Sequence, residues 1–113
     1  MNRHFKKEMA KLIQAGLKTA TTRYKAWKVQ EVSNAVVGSR YKPIKFGTIK
    51  VNSVIKTTWE IACRAYFKQE GFNSPEEMRK YIIKEKLVRG TLDDEVFIME
   101  FEYYRNASDI EVK

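Results

Sequence analysis

Apolar positions at the start of the chain recur at helical spacing. In "RHFKKEMAKLIQA", residues 3–15, Phe5, Met9, Leu12 and Ile13 line one face and Lys6, Lys7 and Lys11 the other. This predicts a helix that Gly16 ends, because glycine enters the left-handed conformation without strain. The period then changes to two. "KTATTRY" alternates and is rich in β-branched threonine, so it reads as a strand, with Thr19, Thr21 and Arg23 on one face and Ala20, Thr22 and Tyr24 on the other. Residues 24–46 have no clear period and carry breakers at Gly38 and Pro43, which predicts one or two short strands joined by a long loop. "GTIKVNSVIKTT" is a firmer strand with Ile49 and Val51 inward.

Two helices follow with good punctuation. "TTWEIACRAYFKQEG" offers Thr57 and Glu60 as a capping box, Gly71 as a stop, and an apolar stripe of Trp59, Cys63, Tyr66 and Phe67. "NSPEEMRKYIIKEKL" has Ser74 as cap, Pro75 at the first helical position and Glu77 to close the box. "DEVFIMEFEYY" is a long closing strand, with Phe97, Met99, Phe101 and Tyr103 on one face and Glu100 and Glu102 on the other. The order helix, strands, two helices, strand implies an α+β fold of helices on a mostly antiparallel sheet able to curl into a small barrel. Residues 1–113 read as one domain, with 105–113 as a flexible tail.

Charge changes this picture more than composition does. The net charge is +8, and residues 1–45 hold 11 lysines and arginines against two acids, whereas the rest of the chain holds 11 against 12. A field so one-sided favours a polyanionic partner, RNA or DNA being the usual one; a merely solubilising basic surface is the plain alternative. The single cysteine, Cys63, excludes an internal disulfide and a multi-cysteine zinc site, and its place in an apolar stripe makes it a core residue. No metal or other cofactor is expected. No apolar run approaches about 18 residues and "MNRHFKKEMAKL" lacks a signal-peptide core, so a cytoplasmic protein without membrane contact is expected.

The candidate chemistry lies in "GLKTATTR". A helix end, a glycine turn and a hydroxyl-rich strand frame a pocket in which Lys18 and Arg23 can hold a phosphate, carboxylate or carbonyl oxygen, and Thr21 can hydrogen-bond or, beside a base, attack. A solvated strand face is the alternative. A second feature is the interleaving of Tyr24, Trp27, Tyr41 and Phe46 with Lys25, Lys28, Arg40, Lys42 and Lys45. Aromatics stack on unpaired bases while cations hold phosphates, the composition of a contact with single-stranded or looped RNA; for Trp27 and Phe46 an ordinary core role competes.

"GLKTATTR" resembles the G-x-K-T-x-T-x-R signature of the ASCH family (activating-signal-cointegrator homology domains). "YFKQEGFNSPEEMRKYI" resembles its glutamate-glycine-phenylalanine turn and serine-capped helix, and "VFIMEFEY" its closing strand. The three blocks stand in the family's order over residues 10–104. The stretch Arg40 to Phe46 departs from it, being longer and more basic. The resemblance implies a PUA-like fold, a small mixed or antiparallel β-barrel flanked by helices. It implies RNA binding through a cleft lined by the signature, with Lys18, Thr19, Thr21, Arg23 and Glu70 at the ligand. It also implies an alternative: a subfamily of small ASCH proteins hydrolyses the modified nucleoside 4-acetylcytidine, and its lysine, threonine and glutamate correspond to Lys18, Thr21 and Glu70. A ribonuclease using the same cleft and a module docking on a ribonucleoprotein are further alternatives.

Overall fold

A computed structural model describes all residues, 1–113. The elements are β1 (Asn2–His4), α1 (Lys7–Gln14), β2 (Ala20–Arg23), β3 (Val32–Ser39), β4 (Lys42–Thr58), α2 (Trp59–Tyr66), α3 (Pro75–Lys84) and β5 (Glu95–Tyr104). The five strands form one mixed sheet in the order β1-β3-β4-β5-β2, with β1 parallel to β3 and all other pairs antiparallel. No helix is long and apolar enough to cross a membrane.

The length of β4 gives the sheet its shape. Its first half pairs with β3 and its second with β5, with register shifts at Ala35/Val36 and Val51/Ser53. Each bulge increases local twist. The sheet is therefore strongly curled without closing into a barrel, and its two edge strands approach: the Arg23 guanidinium of β2 donates to the His4 carbonyl of β1 at 3.0 Å. The segment joining these edges, α1, packs Ala10 and Ile13 into the concave interior beside Phe5, Trp27, Phe46, Ile49, Val51, Met99 and Phe101. On the convex side α2 and α3 bring Trp59, Ala62, Cys63, Met78 and Ile82 onto Ala20, Val96 and Ile98. Alternate residues of β5 thus enter different cores, which is why "VFIM" is apolar without interruption. Cys63 is fully buried, and that burial pushes its thiol up to about 11, consistent with an inert core residue.

Four local expectations are corrected. Residues 3–15 are not one helix. Asn2–His4 is a strand on β3, and α1 begins only at Lys7, because the Arg3 side chain is drawn to Glu31 by paired 2.7 Å bonds and Phe5 N–H donates to the Val36 carbonyl. The long loop expected within 24–46 is a tight β3–β4 hairpin turning at Arg40 and Tyr41, eased by Gly38 at φ +91°. Thr58, not Thr57, caps α2, accepting from Ile61 N–H at 3.2 Å. Residues 105–113 are not loose: Val112 is in the inner core, and its backbone N–H and carbonyl both bond the Gln14 side chain.

Candidate functional site

Two turns bring the site together. After α1, Gly16 at φ +77° lets the Leu17 and Lys18 N–H groups return to the Leu12 carbonyl, so Lys18 is presented rigidly at the entrance to β2. After α2, the chain turns through Phe67–Gly71 with Gly71 at φ +99°, and the Gln69 carbonyl accepts from the Thr19 and Ala20 N–H groups at 2.7 and 3.1 Å. The two turns are thereby joined, and Glu70 faces Lys18. Lys18 Nζ donates to Glu70 Oε1 at 2.8 Å and to the Glu70 carbonyl at 3.2 Å, while the Thr22 hydroxyl donates to Oε2. Lys18 and Glu70 are each only 4% exposed. Burial holds the Lys18 ammonium below the ordinary lysine range, a tendency that the Glu70 charge and hydrogen bond oppose and Arg23 reinforces.

A cavity of about 510 Å³ opens beside this cluster along the edge strand β2. Because β2 is an edge, residues from both its faces reach the cavity: Thr22 and Tyr24 from the helix side, Thr21 and Arg23 from the inner side. Arg23 donates to Thr21 Oγ1 at 3.3 Å, and its guanidinium lies 5.3 Å from the ring centres of both Phe5 and Trp27. Tyr24, Trp27, Trp59 and Tyr81 supply aromatic wall. The Tyr24 hydroxyl donates to Asp94 Oδ2 at 2.7 Å and accepts from Trp59 Nε1 at 3.1 Å and Arg89 N–H at 2.8 Å. No group of three or more His, Cys, Asp or Glu side chains converges in a way that could hold a metal.

Of the candidates read from sequence, Lys18, Thr21, Arg23, Glu70, Lys25 and Trp27 border this cavity. Thr19 does not; it borders a shallower depression with Gly16 and Tyr103. Trp27 is a wall rather than a free stacking platform, since it is buried and the Arg3 guanidinium covers it at 4.4 Å. Phe46 is fully buried. Lys28, Arg40, Tyr41, Lys42 and Lys45 lie away from the cavity, with Tyr41 91% exposed at the hairpin tip and Lys45 3.8 Å from Asp109.

The threonine touching Glu70 is Thr22, which was not among the candidates. The alternation of β2 already placed Thr22 with Ala20 and Tyr24, the face that α2 covers, and Glu70 arrives from the end of α2; the two facts together single it out. Thr22→Val should therefore lower stability by about 1.5–3 kcal/mol, because it leaves one oxygen of a buried carboxylate unpartnered. Thr21→Val removes only the long contact from Arg23 and should cost about 0.5–1 kcal/mol. Urea denaturation of the two isosteric variants compares them directly.

No family model and no curated protein matches the sequence; the likeness to known proteins is structural. A curled mixed sheet flanked by helices, with a polar cluster and cavity at its edge strand, makes this an α+β protein. More narrowly, the fold is that of the ASCH domain. A single-substitution variant of the ASCH protein from Zymomonas mobilis superposes with a TM-score of 0.68 at 17% identity, over 98% of this chain and 74% of that one. The ASCH domain from Lactobacillus crispatus gives 0.62 at 17% identity, over 88% and 72%. Protein EF3133 from Enterococcus faecalis gives 0.64 at 15%, over 87% and 68%.

Proposed function

We propose that the cavity receives a nucleotide unit of single-stranded or looped RNA, its base among the aromatic walls and its phosphates toward the cationic rim. The observation that carries this reading is the charge of the lining. Lys6, Lys18, Arg23, Lys25, Lys86 and Arg89 border the cavity against one carboxylate, Glu70. Lys18 is neutralised by Glu70 and Lys6 pairs with Glu85, but Lys25, Lys86 and Arg89 have no carboxylate within 4 Å. A neutral nucleoside gains little from such a rim, whereas a phosphate gains much. The volume suits a ligand of nucleotide size. Fluorescence anisotropy with a mixed-sequence hexanucleotide RNA, between about 50 and 200 mM salt, tests this: affinity should be micromolar or better at low salt. Log K should fall with a slope of about −0.7 for each phosphate contact. Binding weaker than millimolar, or insensitive to salt, overturns the reading.

One observation favours amide hydrolysis of 4-acetylcytidine as a second reading: a buried lysine held toward its neutral form beside threonine hydroxyls. There a threonine oxygen would bond the acetyl carbon, the carbon–nitrogen bond would break, the cytidine amine would leave with a proton, and water would release acetate. The structure couples Lys18 to Glu70 and gives it no bond to Thr21. Release of acetate from 4-acetylcytidine should then be abolished by Thr21→Val or by Thr22→Val, and the variant that retains turnover excludes that hydroxyl as nucleophile.

A further inference from the structure

Lys86 occupies a position where the backbone favours glycine. At the end of α3, Lys86 N–H bonds the Ile83 carbonyl at 3.1 Å and Leu87 N–H the Ile82 carbonyl at 2.9 Å, a paired helix ending whose left-handed residue is usually glycine. Here it is a lysine at φ +56°. The chain has one other non-glycine residue in this region, Gln30, whose N–H pairs with the Val51 carbonyl; Lys86 alone of the two borders the cavity. The strained backbone thus sits at the cavity lining, on an exposed side chain that neutralises no carboxylate.

Three residues on, Arg89 is held from two directions. Its N–H donates to the Tyr24 hydroxyl at 2.8 Å, and its guanidinium lies 4.7 Å from the Tyr24 ring centre. Tyr24 is itself fixed by Trp59 and Asp94, and Asp94 also accepts from the Gly90 and Thr91 N–H groups, so the segment carrying Arg89 is tied to the cavity wall. A cation positioned in advance loses little freedom on meeting its ligand.

We infer that Lys86 and Arg89, on the segment between α3 and β5, form a phosphate clamp at the cavity mouth, so that the site selects nucleoside phosphates over free nucleosides. This rests on the nucleotide reading of the cavity and narrows it. The phosphate can be the monoester of a mononucleotide or a diester within RNA. The two sources are separated by competing the labelled hexanucleotide with the four nucleosides, their 5′-monophosphates and unlabelled hexanucleotide.

For the wild type, monophosphates should compete at least about tenfold better than nucleosides, and unlabelled hexanucleotide better still if the phosphodiester is the natural source. Lys86→Gly and Arg89→Gln should each weaken hexanucleotide binding about five- to tenfold and flatten the salt slope by about 0.7. Their combination should bring monophosphates and nucleosides within about twofold. Lys86→Gly should at the same time leave Tm unchanged or raise it, by up to about 4 °C, because glycine relieves the left-handed strain. Binding loss without stability loss is the signature of the clamp. Equal competition by nucleosides and monophosphates in the wild type, discrimination that survives the double substitution, or binding lost only together with a fall in Tm overturns it. A wild type that binds neither hexanucleotide nor any competitor removes the cavity reading itself, and the clamp with it.

Discussion

Replacing Glu70 with leucine should lower stability by about 3–5 kcal/mol, because it leaves the Lys18 ammonium buried at 4% exposure without its counter-charge. Adding Lys18→Met and Thr22→Val to the same protein should recover most of that loss, since a buried ionic group replaced as a unit by apolar side chains of similar volume is often neutral or better. Denaturant unfolding of the single and triple variants separates a cluster kept for stability from one kept for its ligand. Recovery of stability with loss of RNA binding indicates the latter. The pH dependence follows from the direction of the Lys18 shift. Burial lowers its pKa in the folded protein below the ordinary 10.5. Between the lowered value and 10.5 the unfolded chain holds more protons than the folded one, so stability rises with pH through that window. Glu70→Gln removes the charge that counteracts burial and extends the window downward. Urea midpoints followed from about pH 7 to pH 10 should climb more steeply for Glu70→Gln than for the wild type, closing the gap between them. A gap that stays constant with pH would mean that Lys18 is not the titrating group.

The cluster shows how far local sequence reading reaches. The glycine turn at Gly16, the strand after it, the Ser74 cap with Pro75, and the apolar face of β5 follow from spacing and turn chemistry, and the structure contains them. The pairing of Lys18 with Glu70, 52 positions apart, does not follow from spacing. It came with the resemblance of "GLKTATTR" and "EGF" to ASCH sequences. The β1 strand was illegible because Phe5 fits a helical stripe as well as it fits the inner core; the choice is made by Arg3 reaching Glu31 and by pairing with β3, both distant in sequence. The β3–β4 hairpin was hidden because its turn residues, Arg40 and Tyr41, carry no turn signal and the glycine and proline that do stand on either side. Lys86 and Arg89 were missed for a related reason. A lysine in the left-handed conformation leaves no mark on composition or period, and Arg89 gains its role from Tyr24, 65 residues earlier.

Gly71→Ala should be the most damaging single-methyl change near the site, lowering stability by about 2–4 kcal/mol. The left-handed backbone costs an L-residue about 1–2 kcal/mol. At φ +99° the added carbon would also stand 2.9 Å from Leu12 Cδ1, the movable end of a half-buried side chain, and 3.4 Å from Lys18 Cβ, an overpacking at the low end of the usual range that adds about 1–2 kcal/mol. Gly16→Ala is the natural control. It too has a positive φ, +77°, but no atom lies within 4 Å of the added carbon, so it should show the backbone part alone. The excess loss at Gly71 then measures contact between the turn bearing Glu70 and the segment bearing Lys18. Leu12→Ala, which empties the nearer of the two contacts, should reduce the penalty of Gly71→Ala by at least about 0.5 kcal/mol in a double-mutant cycle. Because relief at Leu12 leaves the Lys18 contact in place, RNA affinity should stay reduced in the double variant even though Gly71→Ala costs less stability in that background. Equal losses at Gly16 and Gly71 would mean that the two turns do not press on each other, and that the Lys18–Glu70 geometry is held by hydrogen bonds rather than by packing.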